Sequence, residues 1–171
     1  MTVPRLSSDT PALWAFASAL YGASGVAECA IMLQDRHGVD VNIMLFICWL
    51  AGFGSGMVAA ADIDAARRAT APLREGTIRP LRARRRAIPK GGEREAERQA
   101  LLERELAAEK AELALLEGLA PDLGPSLADG AVIEAAAMAN LRLYVQAAGQ
   151  PVEAALAHLA RKAAAVHLGG R

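Results

Sequence analysis

Aromatic residues and cysteines are both scarce in this sequence. Only 4% of its 171 residues are Phe, Trp or Tyr although 53% are hydrophobic, so the apolar content is mainly Ala and Leu. These two residues favour helices, and alanine allows close packing. The sequence has just two cysteines, Cys29 and Cys48, and both lie in apolar runs. This excludes a small scaffold held together by several disulfides and favours free, buried thiols in a reducing compartment.

Strand patterns, repeats and a recognisable signal peptide are missing as well. No segment alternates polar and apolar residues over a strand length, and no unit recurs along the chain. Polar and charged residues between Pro4 and Asp9 precede the first hydrophobic stretch, so we expect no cleavable signal peptide and a cytoplasmic location. The sequence therefore predicts an all-α, bundle-like single domain of about six to seven helices.

The predicted domain has a core and an extension. Residues 1–119 form the helical core, which consists of three N-terminal helices, a basic segment and an acidic helix. Residues 120–171 add two further helices to the same domain, after a linker rich in proline and glycine. His158 and His167 fall on the last of these helices, where we expect them to be surface residues.

One segment has no charge at all. Residues 41–61 contain 21 consecutive uncharged residues, which is enough to cross the hydrocarbon core of a membrane as a helix. Gly52, Gly54 and Gly56 weaken the second half of such a helix, and Glu28 interrupts the preceding apolar helix. We therefore expect a central helix of the bundle, surrounded on every side, and keep a membrane-associated helical hairpin as an alternative.

The formal net charge of zero conceals a reversal along the chain. Residues 61–90 hold nine basic and three acidic residues, or about +6, and residues 91–120 hold eight glutamates against four basic residues, or −4. Pro72 and Pro80 should break or kink the basic helix near Ala71 and Arg79. The acidic helix, residues 93–119, should bury a stripe formed by Leu102, Leu106, Leu113 and Leu116.

The basic segment carries the preferred functional hypothesis. Arg79, Arg82 and Arg86 recur at i, i+3 and i+7, and Arg84 and Arg85 lie beside them. Guanidinium groups on one helix face fit phosphate oxygens or an acidic protein surface, and such binding would be sensitive to salt. No aromatic residue is interleaved to stack bases and no DNA-binding or RNA-binding motif is present. The hypothesis is a non-catalytic binding or adaptor protein with a protein or RNA partner.

In an alternative interpretation, the arginines pair with glutamates of the acidic helix in the same chain. A short turn at residues 89–92 would bring the acidic helix back against the basic one, as is usual for neighbouring helices. The available glutamates are Glu97, Glu103, Glu105, Glu109 and Glu112.

The densest polar cluster lies in the turn between the second and third helices. It consists of Gln34, Asp35, Arg36, His37, Asp40 and Asn42. An enzyme could use Asp35 with His37 as a base and its orienting partner, or could bind a divalent metal ion through Asp35, His37 and Asp40. The structural alternative is that Gly38 ends one helix and Asp40 caps the next. We assign no catalytic residue, metal ligand or cofactor.

The first two thirds of the chain resemble a known pattern. Its residues are Trp14, Phe16, Tyr21, Gly25-Val26, Cys29, Leu33 to Arg36, Gly38, Asp40 to Asn42, Leu45-Phe46 and Trp49, then Pro80-Leu81-Arg82, Arg84 to Arg86 and the acidic helix. Between about Leu13 and Leu119 the sequence is thus similar to a short bacterial protein family of unknown function. Members usually carry an aromatic residue shortly before the Pro-Leu-Arg segment, where this chain has Glu75, Gly76 and Thr77. The resemblance implies a helical protein and no activity, substrate or cofactor.

Overall fold

The computed structural model describes residues 13–120, 123–147 and 149–169, so the polar segment at residues 4–9 lies outside the described part. The α-helices are α1 (Leu13–Tyr21), α2 (Val26–His37), α3 (Val41–Leu50), α4 (Ala60–Leu73), α5 (Arg79–Arg86), α6 (Glu95–Gly118), α7 (Gly130–Val145) and α8 (Gln150–Gly169). A π-helical turn, Arg74–Ile78, joins α4 to α5 without a break. The described residues form no strand beyond an isolated bridge between Phe53 and Ser126. The fold is all-α, and the described ranges contain seven helical elements when α4, the π-turn and α5 count as one.

Helix α3 is the centre of the molecule. Gly38 ends α2 with a left-handed φ of 66°, and the Asp40 side chain caps α3 by accepting from the backbone N–H of Ile43, so both predicted helix signals are confirmed. Every residue from Ile43 to Leu50 is buried. Helices α1, α2, α4, α6, α7 and α8 all pack against α3.

The predicted helix over residues 41–61 is too long. Helix α3 ends at Leu50, and a loop runs from Ala51 to Ala59 before α4 begins. The reason is backbone conformation, since Gly54 and Gly56 both take positive φ, which ends a right-handed helix. No single described helix is long and apolar enough to cross a membrane, and α1 with α2 meets that test only as a pair bent by 96°.

Of the predicted break or kink at the prolines, the break does not occur. Pro72 lies inside α4, and Pro80 lies in the first turn of α5. Between them the π-turn widens the helix, and the backbone N–H of Arg79 donates to the carbonyl of Arg74, five residues back. Pro72 and Pro80 have no backbone N–H to donate, and this shift in the hydrogen-bond pattern lets the helix continue without those two hydrogen bonds. The helix thus carries Arg74 and Arg82 along α6.

Helices α5 and α6 form an antiparallel pair around the small apolar cluster of Leu81, Ile88 and Leu101. The predicted leucine stripe on α6 is only partly correct, because Leu106 is exposed whereas Leu113 and Leu116 are buried. Three charged residues at seven-residue spacing share the buried face instead: Arg98, Glu105 and Glu112. Arg74, Arg82 and Arg85 of the basic helix pair with Glu112 and Glu105, so charged side chains share this interface with the apolar cluster.

Helices α7 and α8 contribute to the same apolar cluster as α1, α2 and α3. His158 and His167, which were expected to be surface residues, are both half-buried, and each contacts a backbone carbonyl. The ring nitrogen Nε2 of His158 lies 2.9 Å from the carbonyl of Ser24, and that of His167 lies 3.1 Å from the carbonyl of Cys48. A Cβ atom at Gly52 would come within 2.3 Å of the His167 ring, so glycine makes room for this contact. Both cysteines are free, and Cys48 is buried.

Candidate functional site

A cavity of about 540 Å³ lies between α1, the turn after α2, α3, the α4–α5 helix and α6. Its volume falls within the range of about 300 to 1,000 Å³ typical of small-molecule sites. Part of the wall is apolar, and its large residues are Trp14, Tyr21, Ile31, Leu45, Ile78, Leu102, Leu106 and Leu113. The rest of the wall carries charged and amide side chains. One space therefore offers both apolar contact and polar recognition.

The rim of the cavity is unusually apolar for a surface. Trp14, Tyr21, Ile31 and Leu106 all line the cavity, and all four are large hydrophobic side chains that remain exposed. They come from three different helices, α1, α2 and α6, which meet at this opening. Contiguous apolar residues on a monomer surface often mark a binding site.

Four side chains form a polar cluster in the cavity wall, of which Glu112 is buried and the others half-buried: Asp40, Asn42, Arg74 and Glu112. Arg74 Nε lies 2.6 Å from Asp40 Oδ2 and 3.6 Å from Glu112 Oε1. Asn42 Nδ2 donates to Glu112 Oε2 across 2.7 Å. The cluster joins the polar turn after α2 to the π-turn and to α6.

Two buried atoms of this polar cluster have no hydrogen-bond partner, Arg74 Nε and Glu112 Oε1, and they lie 3.6 Å apart. Glu112 is only 1% exposed, and its Oε1 atom is buried and accepts no hydrogen bond. Burial raises the pKa of Glu112 to about 7, and the nearby charge of Asp40 raises it further, while Asn42 and Arg74 oppose the change. Buried groups with a shifted pKa beside a cavity are typical of functional sites, although internal ion pairs shift pKa values too.

An arginine–glutamate network, consisting of Arg82, Arg85, Glu105 and Glu109, forms the adjacent wall. Arg82 donates to Glu105, to Glu109 and to the side-chain oxygen of Gln34, at 2.8, 2.5 and 2.7 Å. Arg85 donates to both oxygens of Glu105, at 2.5 and 3.2 Å. Both guanidinium groups are thus held by partners within the chain.

The two glutamates of this network differ in their electrostatics. Burial alone would raise the pKa of Glu105, but hydrogen bonds from Arg85 and Arg82 outweigh it, so the pKa of Glu105 lies below its ordinary value. For Glu109 burial prevails over the pairing with Arg82, and its pKa is raised. The arginines therefore outweigh the cost of burying the Glu105 carboxylate, but Arg82 does not outweigh that cost for Glu109.

The structure divides the predicted polar turn into two groups. Gln34, Asp40 and Asn42 line the cavity, whereas Asp35, Arg36 and His37 are exposed and do not line it. Asp35 instead lies 3.5 Å from Arg86. Among the described residues, no group of three His, Cys, Asp or Glu side chains is arranged to hold a metal ion. The structure thus does not bring Asp35, His37 and Asp40 together as metal ligands.

The predicted basic face is divided as well. Arg79, Arg82, Arg85 and Arg86 line the cavity. Arg79 pairs with Glu75 at 2.8 Å, outside the network. Arg84 is exposed and does not line the cavity.

Two site residues, Arg74 and Glu112, were not selected from the sequence. Glu112 stands among eight glutamates of one segment, and its burial depends on which face of α6 meets the basic helix. A signal was available in the spacing of Arg98, Glu105 and Glu112, because a seven-residue interval keeps them on one face of the helix. Arg74 reaches the cavity because the helix continues past Pro72 into the π-turn, at a place where the sequence predicts a break or a kink.

The comparison with family models identifies the region that carries this site. The model of DUF2390, described as a protein of unknown function, matches residues 12–116. The chain belongs to the DUF2390 family. All residues that line the cavity fall within the DUF2390 region. No curated protein matches this chain significantly, and neither does any solved structure.

Proposed function

We propose that the DUF2390 region of this chain binds a small organic molecule in the cavity between α1, α3, α5 and α6. The observation that carries the proposal is the cavity of about 540 Å³, in whose wall an apolar part adjoins two buried polar atoms without hydrogen bonds, Arg74 Nε and Glu112 Oε1. A buried polar atom without a hydrogen bond costs about 1 to 3 kcal/mol. A polar group of a ligand bound beside these side chains would offset part of that cost.

Two further features support binding. The exposed apolar rim of Trp14, Tyr21, Ile31 and Leu106 would be covered by the apolar part of a ligand, which removes that surface from water. The π-turn contributes Arg74 and Ile78 to the wall, and π-helical turns inside α-helices are frequent at functional sites.

A thermal-shift screen of small metabolites tests this proposal. A compound that binds only the folded chain raises its midpoint of unfolding in proportion to the logarithm of its concentration. The matched variants are Ser18→Trp, which places a large side chain in the cavity wall, and Ala19→Trp, which changes an exposed residue of α1 that does not line it.

The expected result is that at least one compound stabilises the wild type and Ala19→Trp and loses its effect on Ser18→Trp. Equal stabilisation of both variants would place the binding site elsewhere. A screen that yields no stabilising compound for the wild type would contradict the proposal.

A second proposal retains the basic face, in a reduced form. Arg84 is exposed, as are Lys90 and Arg94 in the turn between α5 and α6. An acidic protein or RNA partner would meet these side chains rather than Arg82 or Arg85. The proposal is supported if a partner captured from lysate binds less with added salt, is lost in Arg84→Glu and is kept in Arg161→Glu, at an exposed position of α8. Retention of the partner by Arg84→Glu would count against it.

A further inference from the structure

The charges in the cavity wall are paired with one another. Each of the five arginines that line the cavity lies within ion-pair distance of a carboxylate of this chain, and each of the four acidic residues of the wall lies beside an arginine. A ligand with a single charge would add an unpaired charge to a partly buried surface, which is unfavourable. The charge pattern of the wall therefore favours a neutral polar group.

The unpaired hydrogen-bonding atoms of the wall are one donor and one acceptor. Among the described side chains, two buried atoms make no hydrogen bond, Arg74 Nε and Glu112 Oε1, and they lie 3.6 Å apart. The contact of Arg74 Nε with Asp40 Oδ2, at 2.6 Å, is an ion pair without a hydrogen bond. A group that satisfies both atoms must accept from the first and donate to the second.

Other atoms of the same two side chains hold them in place. The Nη2 atom of Arg74 donates to the hydroxyl of Thr70 and to the carbonyl of Arg67. The Oε2 atom of Glu112 accepts from Asn42 across 2.7 Å. Because each side chain is held through a different atom, the unpaired N–H and the unpaired oxygen keep their spacing.

We infer that the ligand of this site is a neutral primary carboxamide on an aromatic body, whose amide oxygen accepts from Arg74 Nε and whose amide nitrogen donates to Glu112 Oε1. The oxygen and nitrogen of a carboxamide lie about 2.3 Å apart. Two hydrogen bonds of about 2.9 Å from this edge reach atoms 3.6 Å apart when each bond tilts by roughly 13°. A single hydroxyl oxygen at the same distances would need an angle of roughly 77° between its two bonds, which is tight for a tetrahedral oxygen.

The apolar part of the cavity suits a flat aromatic body. Trp14 and Tyr21 line the cavity from α1, and Leu102 and Leu106 line it from α6. Aromatic rings gain free energy from offset or edge contacts with other rings, beyond the burial of their area. The two unpaired atoms are shielded but belong to side chains that line the same cavity, so a small rotation of each brings them to a bound amide.

The inference rests on the proposed function, and four matched probes test it. They are naphthalene-2-carboxamide, 2-naphthoate, protonated naphthalene-2-carboxamidine and 2-acetonaphthone, which offer a donor with an acceptor, two acceptors, two donors, and an acceptor alone. Affinities are measured by ¹⁵N NMR titration at about pH 8, where Glu112, with a pKa of about 7, is mostly ionised. We expect the carboxamide to bind at least about fivefold more tightly than each of the others, because each of them leaves a buried atom unpaired or adds a charge.

The variant Glu112→Gln should change which probe binds best. Asn42 donates to Oε2, so the glutamine oxygen should take that position and its NH₂ group should replace Oε1. The site would then offer two donors, and 2-naphthoate should bind at least about fivefold more tightly than the carboxamide. Glu103→Gln, at an exposed position of α6, is the matched control and should keep the wild-type order.

Each other outcome overturns the inference. Equal affinities of the four probes for the wild type refute the amide site, and tighter binding of the carboxylate or of the amidine means that the arginines or the glutamates receive the head group. Binding of any probe still leaves a ligand-binding cavity. Failure of all four probes to bind refutes the inference, whereas the proposed function is refuted only if the thermal-shift screen also yields no compound. If circular dichroism shows that Glu112→Gln does not fold, the order of the four probes on the wild type decides.

Discussion

At the scale of single residues, Glu112 combines burial with an incomplete set of partners. Its Oε2 accepts from Asn42, its Oε1 accepts no hydrogen bond, and Asp40 lies nearby across Arg74. The ionised form of such a carboxyl is disfavoured, because desolvation and a neighbouring negative charge both act against it. The residue that best marks the site is therefore also one that lowers the stability of the chain at neutral pH.

This predicts how Glu112→Gln changes stability with pH. The pKa of Glu112 is about 7 in the folded chain against an ordinary value of 4.5, so folding favours its protonated form. Below about pH 4.5, Glu112 should not reduce the free energy of unfolding of the wild type. As pH rises to about 7 and beyond, ionisation of Glu112 should lower that free energy by on the order of 2 to 3 kcal/mol. Glu112→Gln lacks this loss.

Urea unfolding of both proteins at about pH 5 and about pH 8 measures the effect. The stability of Glu112→Gln relative to wild type should be greater at the higher pH. Groups that titrate in both proteins cancel in this difference. A difference that is the same at both pH values would show that Glu112 is ionised without penalty.

Glu105 should behave in the opposite way from Glu112. Its two oxygens accept from Arg82 and Arg85, and only 3% of the residue is exposed. Glu105→Gln leaves two partly buried guanidinium groups without their anion and should destabilise the chain by about 2 to 4 kcal/mol. Chemical denaturation should show Glu103→Gln, on the exposed face of α6, within about 0.5 kcal/mol of wild type. Similar values for both variants would contradict the arginine–glutamate network.

At the scale of elements, the sequence predicts where most helices begin and end, but it does not predict which face of α6 is buried. Gly38 and Asp40 act through local backbone geometry, and local signals of this kind are visible in a sequence. The buried face of α6 depends on a partner helix that carries opposite charge. A pattern of leucines therefore predicted the buried stripe only in part: Leu113 and Leu116 are buried, whereas Leu106 is exposed and lines the cavity.

The candidate site was predictable only in part for the same reason. Asp40, Asn42 and Gln34 could be selected because they lie close together in the sequence. Arg74 and Glu112 join them only through the continuous α4–α5 helix and its packing on α6. The local effect of proline on a helix predicts a break or a kink there, whereas the π-turn accommodates the backbone N–H groups that the two prolines lack.

Asn140 ties α7 to the loop after α3, and this element contact yields a prediction. The buried side chain accepts from the N–H of Val58 and donates to the carbonyls of Ile47 and Gly56, at 3.0, 3.1 and 2.8 Å. Asn140→Ala leaves three buried backbone groups unpaired and should cost about 2 to 4 kcal/mol in urea unfolding. Arg142→Ala, which removes only an exposed pair with Glu153, should cost less than about 1 kcal/mol. Equal costs would show that the Asn140 bonds do not contribute to stability.

At the scale of the whole molecule, the DUF2390 region and the C-terminal helices share one core. Leu156 of α8 is fully buried in the same cluster as Trp49 of α3. We therefore expect unfolding monitored by tryptophan fluorescence and by far-ultraviolet circular dichroism to coincide. Leu156→Ala should lower the free energy of unfolding by about 2 to 5 kcal/mol, by the same amount in both signals. Two separate transitions would mean that α7 and α8 form an independent unit.

Binding of a small molecule in the cavity of the DUF2390 region is tested by a two-dimensional ¹⁵N NMR titration of the labelled chain with a compound that stabilises it in the thermal-shift screen. We expect saturable shifts of the Asn42 side-chain amide and the Trp14 indole, which line the cavity, and none of the Asn140 side-chain amide, which lies in the contact between α7 and α3. Shifts at Asn140 but not at Asn42 and Trp14, or no saturable shift, would contradict the proposed site.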